Sequence, residues 1–121
     1  MTTMTQSQTE ASVCYLETIG RVSGNPHQIE IWFAADGDTV WMLSGGMDRS
    51  DWVKNILGNP AVRVRILDQW LAGAATVVDN PDDDQRAREC IARKYYHWTA
   101  GPLPTDWTRT ALPIKIRTSS G

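Results

Sequence analysis

The chain has 121 residues, a length typical of one domain with its own hydrophobic core. Hydrophobic residues make up 41% of the chain and charged residues 21%, a balance that excludes an intrinsically disordered protein. The formal net charge of -2 argues against a nucleic-acid partner, and no apolar stretch is long enough for an integral membrane segment.

The first twelve residues, MTTMTQSQTEAS, are polar and lack the apolar region of a secretory signal. We therefore expect residues 1–12 to form a polar mobile tail, residues 13–121 to form a single domain, and the protein to be cytoplasmic. Cys14 and Cys90 fit this location as buried free thiols, because two isolated cysteines make neither a disulfide framework nor a metal motif.

Alternation of apolar and polar residues predicts that most of the chain is β-structure. The alternation is clearest in residues 28–34 and in AVRVRIL, residues 61–67. Asp36-Gly37-Asp38 indicates a hairpin, and Gly73 indicates a bend or bulge inside a strand. Six strands are predicted, at residues 13–20, 28–34, 39–44, 61–67, 70–78 and 111–118.

Two helices complete the predicted elements. A short helix begins at Ser50 or Asp48, and a long helix with Asn80 as its N-cap spans residues 79–98. Residues 99–110 are expected to form a loop. The residues expected on the buried face of the short helix are Trp52, Ile56 and Leu57. Because short antiparallel strands satisfy their edges best by closing on themselves, this order of elements predicts a small barrel.

Two glycine-rich turns follow strands and share the same polar chemistry. The first, GRVSGNP, presents Arg21 and Ser23 between Gly20 and Gly24, and the second, SGGMDRS, leads into the short helix. Backbone amides, a hydroxyl, a guanidinium and a helix N-terminus can together hold a phosphate. A plain hairpin is the structural alternative for either turn alone. The repetition of this chemistry favours an anion site.

Other catalytic chemistries find little support in the sequence. Neither cysteine has a nearby histidine, no G-x-S-x-G elbow is present, and no GxGxxG motif leads from a strand into a helix. His27 and His97 lie too far apart in the sequence for metal-ligand spacing, so no metal site is expected. Six tryptophans are many for this length, and they either fill a small core or line a pocket for a flat ring.

Three segments, TIGRVSGNPHQIEIWF, LSGGMDRSDWVKNILGNPAVRVRI and DWTRTALPIKI, together resemble the deazaflavin-dependent nitroreductase family. The resemblance runs from about Cys14 to Arg117. It implies a mainly β fold with a few helices, a split β-barrel of the FMN-binding, pyridoxamine-phosphate-oxidase-like type. It also implies an oxidoreductase that transfers a hydride from reduced coenzyme F-420, an 8-hydroxy-5-deazaflavin, to an electron-poor quinone, enone or nitroaromatic.

The same resemblance implies where the coenzyme lies. Its phosphate and acidic tail are expected near the first turn, and the rest of it along the second turn and the short helix. The implied cofactor-binding residues are Gly20, Arg21, Ser23, Gly24, His27, Ser44, Gly45, Gly46, Arg49, Trp52 and Asn55. Many relatives carry a lysine at the position of Val22 and an arginine at that of His27, so weaker charge pairing with a polyglutamate tail is expected here.

Tyr96 and His97 are the candidate catalytic residues, as donors that protonate the product or polarise the acceptor. Tyr95 lies on the inner face of the long helix, where core packing is its expected role. Two alternatives stay open: an FMN-dependent oxidoreductase of the same fold, and a non-catalytic protein that binds a cofactor or an apolar ligand. The expected partners are a small-molecule substrate and a second copy of the chain in a homodimer.

Overall fold

A computed structural model describes residues 4–119, which form seven strands and four α-helices. The order of elements matches the sequence-based prediction from the first predicted strand to the long helix, apart from one strand that is split in two. The elements are α1 (Gln6–Glu10), β1 (Cys14–Ile19), β2 (Pro26–Ile31), β3 (Ala34–Asp36), β4 (Thr39–Ser44), α2 (Asp51–Gly58), β5 (Ala61–Ile66), β6 (Gln69–Val77), α3 (Pro81–Tyr96), α4 (Asp106–Thr110) and β7 (Leu112–Ser119).

All seven strands pair antiparallel in one sheet with the order β2-β1-β5-β6-β7-β4-β3. The two edge strands, β2 and β3, are consecutive in the chain and are joined only by Trp32 and Phe33. A chain segment of this length spans at most about 11 Å, so the two edges of the sheet must meet at this point. The sheet is therefore curled into a split β-barrel with few helices, which confirms the predicted fold class.

Period-two alternation separates the inside of the barrel from its surface. Val62, Val64 and Ile66 of β5 are buried, whereas Arg63 is exposed on the outside. There its guanidinium makes a two-point ion pair with the Glu17 carboxylate of the neighbouring strand, with N–O distances of 2.8 and 3.0 Å. The predicted alternation in β5 is thus confirmed.

Strand β4 is buried on both faces, because a second layer covers its outer side. Val40 and Met42 belong to the core inside the barrel, while Trp41 and Leu43 point outward and pack against α3. The inner face of α3 supplies fully buried side chains to this second cluster, among them Ile91. One long helix and the curled sheet therefore bury two hydrophobic layers in a small chain.

Several local predictions are wrong. Leu57 is 62% exposed, and Val53 takes the expected place of Leu57 on the buried face of α2. Gly73 pairs regularly with Val62, and it is required because an added Cβ would lie 2.9 Å from the backbone oxygen of Arg117 in β7. The glycine permits close strand approach; it does not form a bulge.

Two segments that were expected to have no regular structure, the N-terminal tail and the loop of residues 99–110, each contain a short helix. Gln6–Glu10, within the segment predicted to be a polar tail, forms α1, which begins with a capping box between Thr5 and Gln8. The amide of Gln8 is buried and donates to the Gln69 side chain at 2.6 Å. A second capping box, at Thr105, starts α4 inside the predicted loop of residues 99–110. Within residues 4–119, no helix has both the length and the apolar composition needed to cross a membrane.

Candidate cofactor-binding site

A cleft of about 480 Å³ lies between the β1–β2 turn, the first half of β2 and one face of α2. The turn, Gly20–Gly24, is hereafter the 20–24 turn. The residues lining the cleft are Thr18, Gly20, Arg21, Val22, Ser23, His27, Gln28, Ile29, Asp51, Trp52 and Asn55. Six of the eleven predicted cofactor-binding residues therefore lie together in one cleft, and a seventh, Gly24, closes the same turn.

Arg21 is the cation of the cleft, and α2 fixes its position. The Asn55 side-chain oxygen accepts hydrogen bonds from the Arg21 backbone N–H at 3.2 Å and from its guanidinium at 2.8 Å. The other terminal nitrogen of the guanidinium lies 3.2 Å from a carboxylate oxygen of Asp51. The Arg21 side chain is still 36% exposed, so an anion in the cleft can reach it.

Asn55 is buried at the base of the cleft and uses both the oxygen and the nitrogen of its side-chain amide. Its side-chain NH₂ donates to the Thr18 hydroxyl at 3.1 Å, while its oxygen holds Arg21. Both Asn55 and Thr18 are almost fully buried, with 5% and 1% of their surface exposed. A buried amide satisfied at both ends rigidly connects α2 to the end of β1, and thereby positions the 20–24 turn.

The 20–24 turn places a hydroxyl and an imidazole side by side. The Ser23 hydroxyl accepts the Asn25 backbone N–H at 3.1 Å and lies 3.5 Å from Nε2 of His27. Gly20 passes directly beneath these groups, since an added Cβ would lie 2.6 Å from the His27 ring. Gly24 has a φ of 75°, a left-handed conformation that glycine adopts without strain.

The N-terminus of α2 has no side-chain cap. Ser50 is the N-cap residue, but its hydroxyl lies 2.9 Å from the Ser44 hydroxyl and caps no backbone N–H of the helix. Ser44 also donates to the Met47 carbonyl at 2.9 Å, which holds Met47 in a left-handed conformation with a φ of 58°. The first-turn amides of α2 are therefore available to an anion.

The second glycine turn, Gly45-Gly46, lies outside the cleft. Gly45 packs against Trp107, whose ring would be 3.4 Å from an added Cβ, and Gly46 packs against Ser50. Arg49 is exposed at the end of the 3₁₀ turn Met47–Arg49, which connects this turn to α2. Four of the predicted cofactor-binding residues therefore do not line the cleft: Ser44, Gly45, Gly46 and Arg49.

Beside the Gly45-Gly46 turn lies an aromatic cluster made of Trp32, Tyr95, Tyr96 and Trp107. The Trp32 ring stacks on Tyr95 with centroids 4.2 Å apart, and Trp107 meets it edge-on at 5.7 Å. Tyr96 lies 6.3 Å from the Trp32 ring and is 37% exposed. Trp32 is itself 42% exposed, so the cluster offers a flat aromatic surface to a ligand.

The two predicted catalytic residues lie at the C-terminus of α3. Tyr96 is the last residue of the helix, and His97 follows as its C-cap with a φ of 54°. Both side chains are exposed. Neither lines the cleft, but Tyr96 belongs to the aromatic cluster.

Tyr95 and Lys94 hold the connection between β2 and β3. The Tyr95 hydroxyl accepts the Phe33 N–H at 3.0 Å, and the Lys94 ammonium donates to the Phe33 carbonyl at 2.9 Å. Burial raises the pKa of Tyr95 to about 12 and lowers that of Lys94 to about 8. Burial also raises the pKa of the neighbouring Cys14 thiol to about 12. Partial burial and these bonds give Tyr95 the structural role expected of it.

Sequence reasoning did not identify Thr18, Asp51 and Trp32 as members of the site. Thr18 and Asp51 act through Arg21 and Asn55, and contacts between residues this far apart leave no signal in a local pattern. Alternation in residues 28–34 places Trp32 on the same strand face as Gln28 and Glu30, whereas the strand break before β3 turns it toward α3.

The curled antiparallel sheet, with a basic glycine turn at the end of one hairpin, defines a protein of the split β-barrel class. The profile of the family described as F420H(2)-dependent quinone reductase matches residues 2–119. The chain belongs to this family. A comparison with curated proteins gave no significant match.

Solved structures of low sequence identity share the fold. A structure named F420 Reductase is 23% identical, with a TM-score of 0.63, covering 95% of this chain and 93% of that one. An F420-H2 dependent reductase, FDR-A, is 17% identical, with a TM-score of 0.66 and coverage of 89% and 94%. A FAD-binding protein from Mesorhizobium loti is 14% identical, with a TM-score of 0.64 and coverage of 98% and 93%.

Proposed function

We propose that this protein is an oxidoreductase that uses reduced coenzyme F-420 to reduce an electron-poor small molecule such as a quinone, an enone or a nitroaromatic. The observation that carries the proposal is the cleft, in which Arg21 and Ser23 lie beside the first-turn residues Asp51 and Trp52 of α2, a helix whose N-terminus has no side-chain cap. A guanidinium, a hydroxyl and free helix amides fit a phosphate group. Family membership supports the choice of coenzyme.

The distance between the cleft and the aromatic cluster supports a ligand with a phosphate at one end and a flat ring at the other. Ile29 lines the cleft, and Trp32 lies three residues further along the same chain segment. Three extended residues span about 10 Å. Arg21 and Ser23 lie several residues further back, at the other end of β2, so only an elongated ligand would reach from the phosphate site to a ring position near Trp32 and the Gly45-Gly46 turn.

The chain's own residues would hold the coenzyme and orient the acceptor. When bound, the reduced deazaflavin supplies a hydride and reacts poorly with oxygen. Trp32 and Trp107 would form an aromatic wall that excludes water from the transfer. Tyr96, exposed beside Trp32, is the candidate donor that protonates the reduced product, and His97 is the second candidate.

The experiment that tests the proposal measures binding and turnover separately. Titration with oxidised coenzyme is expected to show binding that weakens about tenfold or more in Arg21→Ala, with a larger loss at low salt, because the contact is ionic. Arg49→Ala is expected to weaken binding less, and Arg117→Ala, on β7 and outside the cleft lining, is the matched control. Unchanged affinity in Arg21→Ala would remove the phosphate assignment.

Turnover is tested by following oxidation of the reduced coenzyme with menadione or a nitroaromatic as acceptor. We expect oxidation that depends on both the protein and the acceptor. Binding of the coenzyme without any such oxidation would favour the non-catalytic alternative.

One observation favours FMN as a second candidate cofactor. The cleft lining contains a single guanidinium, already paired with Asp51, which suits one phosphate better than a long acidic tail. Absorbance spectra of the protein mixed with FMN and with coenzyme F-420 separate the two. Tighter binding of FMN, with turnover supported by reduced FMN, would replace the first proposal.

Location and assembly are part of the same proposal. The free thiols of Cys14 and Cys90 are compatible with a reducing cytoplasm. We also propose a homodimer, and light scattering on the purified protein gives the mass that tests it.

A further inference from the structure

The cleft has almost no net charge, although it contains an arginine. Among its lining residues, only Arg21 and Asp51 carry a full formal charge at neutral pH, and these charges are opposite. The positions that flank the guanidinium on the 20–24 turn are Gly20 and Val22, and Val22 is 93% exposed. The lining therefore exerts little long-range attraction on an approaching polyanion.

The two partners that hold Arg21 differ in how easily a ligand replaces them. Asn55 is 5% exposed and is tied to Thr18, so it stays in place when a ligand binds. The Asp51 side chain is 84% exposed and makes one contact with the guanidinium, at 3.2 Å. Exposed ion pairs of this kind contribute little free energy, so an incoming anion can take the place of Asp51.

We propose that Asp51 is a specificity-determining residue that makes the cleft discriminate against anionic groups beyond the one that Arg21 binds. The first anionic group exchanges with Asp51 on the guanidinium of Arg21. Each further anionic group meets the displaced Asp51 carboxylate with no second cation in the lining. Repulsion between two unit charges about 4 Å apart in water changes a binding constant by about fivefold. The site therefore favours a phosphorylated ring with a short tail over one with a long polyglutamate tail.

This inference rests on the proposed function for the identity of the ligand. Its first test therefore compares three forms of the deazaflavin ligand. These are the deazaflavin chromophore without phosphate, the coenzyme with a single glutamate, and the coenzyme with a long glutamate chain. In Asp51→Asn we expect the affinity for the long-tailed form to rise about tenfold, that for the short form to rise less, and that for the bare chromophore to stay constant. A gain in affinity cannot arise from misfolding.

The matched control is Asp68→Asn, which removes the same charge at an exposed turn between β5 and β6. Tyr15 of β1 pairs with Arg65, so this turn lies at the end of β1 opposite the cleft. Equal gains in the two variants would overturn the inference, because they would reflect net charge alone. An unchanged ratio of long-tail to short-tail affinity in Asp51→Asn would overturn it as well.

A second test uses anions that carry no ring and so does not depend on the identity of the cofactor. Calorimetry with inorganic phosphate and with tripolyphosphate should show that Asp51→Asn increases the affinity for tripolyphosphate more than that for phosphate. In Arg21→Gln, the gain from Asp51→Asn should shrink. If the ringless anions behave in this way but no deazaflavin binds, the proposed cofactor is wrong and the role of Asp51 stands. If deazaflavins bind but neither tail length nor anion charge matters, the role of Asp51 is wrong.

Discussion

The side-chain oxygen of Asn55 accepts hydrogen bonds from both the backbone N–H and the guanidinium of Arg21, a residue 34 positions away in the sequence. Asn55→Ala removes both bonds and leaves the Thr18 hydroxyl without its donor. We expect the free energy of unfolding to fall by about 1–3 kcal/mol, because buried polar groups lose their partners. We also expect weaker coenzyme binding. Urea denaturation and ligand titration measure the two effects.

The control for this variant is Thr18→Val, which deletes the Asn55–Thr18 bond and keeps the contacts to Arg21. It should reduce stability while preserving most of the affinity. Loss of affinity as large as in Asn55→Ala would mean that the orientation of Arg21 does not control binding.

Substitutions at two adjacent tyrosines should affect different properties, one the stability of the fold and the other the rate of catalysis. Tyr95→Phe removes the hydroxyl that accepts the Phe33 N–H, so we expect a loss of about 1–3 kcal/mol in unfolding free energy with kcat nearly unchanged. Tyr96→Phe alters an exposed hydroxyl beside Trp32, so we expect stability within about 0.5 kcal/mol of the parent. If Tyr96 is the proton donor, kcat falls about tenfold or more. The reverse pattern would reassign both residues.

Two glycine-to-alanine substitutions should differ because their neighbours differ. In Gly73→Ala the new Cβ would lie 2.9 Å from the backbone oxygen of Arg117, which belongs to a paired strand and cannot move alone. We expect a loss of about 1–3 kcal/mol in unfolding free energy. In Gly20→Ala the close neighbours are side-chain atoms of His27 and Ser23, which can rotate away. That variant should lose less stability and more affinity, as measured by thermal unfolding and coenzyme titration.

The two cysteines should differ in reactivity toward a thiol reagent. Cys14 is fully buried and its pKa is raised to about 12, so little thiolate forms at neutral pH and the reagent cannot reach it. Cys90 is partly exposed and lines a cavity of about 430 Å³ with Lys94 and Arg93. Mass spectrometry after labelling should find modification at Cys90 in the folded protein and at Cys14 only in urea. Native labelling of Cys90→Ser would contradict this order.

The ion pair between Glu17 and Arg63 should make stability depend on pH. The hydrogen bond from the Arg63 guanidinium lowers the pKa of the Glu17 carboxyl below its usual 4.5. A carboxyl whose pKa is lower in the folded than in the unfolded state stabilises the protein above the unfolded value, and this contribution is lost as the pH falls through the folded value. The stability difference between the parent and Arg63→Ala should therefore be largest near neutral pH and shrink in acid. Arg65→Ala, which loses stacking on Tyr15 and no carboxylate partner, should show no such shrinkage.

The sequence predicts the fold well wherever a strand has one solvent-exposed face and one buried face. Residues 61–66 follow the prediction residue by residue, because alternation reports directly which side faces the core, whereas Leu67, predicted as the last strand residue, lies in the turn after β5. Residues 28–34 were predicted as one strand, and the structure divides them between β2 and β3. The alternation of apolar and polar residues continues across the break and so gives no sign of it. The break occurs because the chain passes from one edge of the sheet to the other, and this passage depends on the closure of the whole barrel.

The candidate site was predictable to the extent that it lies within one contiguous turn. Arg21, Ser23 and His27 are neighbours in sequence and in space. The contribution of Asp51 depends on the side on which α2 approaches that turn, and no spacing in the sequence encodes the approach. Leu57 shows the same limit, since either of two helix faces could have been the buried one.

The point where the two edges of the barrel meet has one further property. At Phe33 the backbone N–H and carbonyl are bonded to Tyr95 and Lys94, side chains of a helix. A small outward swing of α3 would thus release the amide of Phe33 to exchange with solvent while every strand ladder stays intact. Trp32, one residue earlier, is stacked on Tyr95 of that same helix. A ring bound against Trp32 would oppose this motion of α3, so amide exchange at Phe33 should slow when ligand is bound.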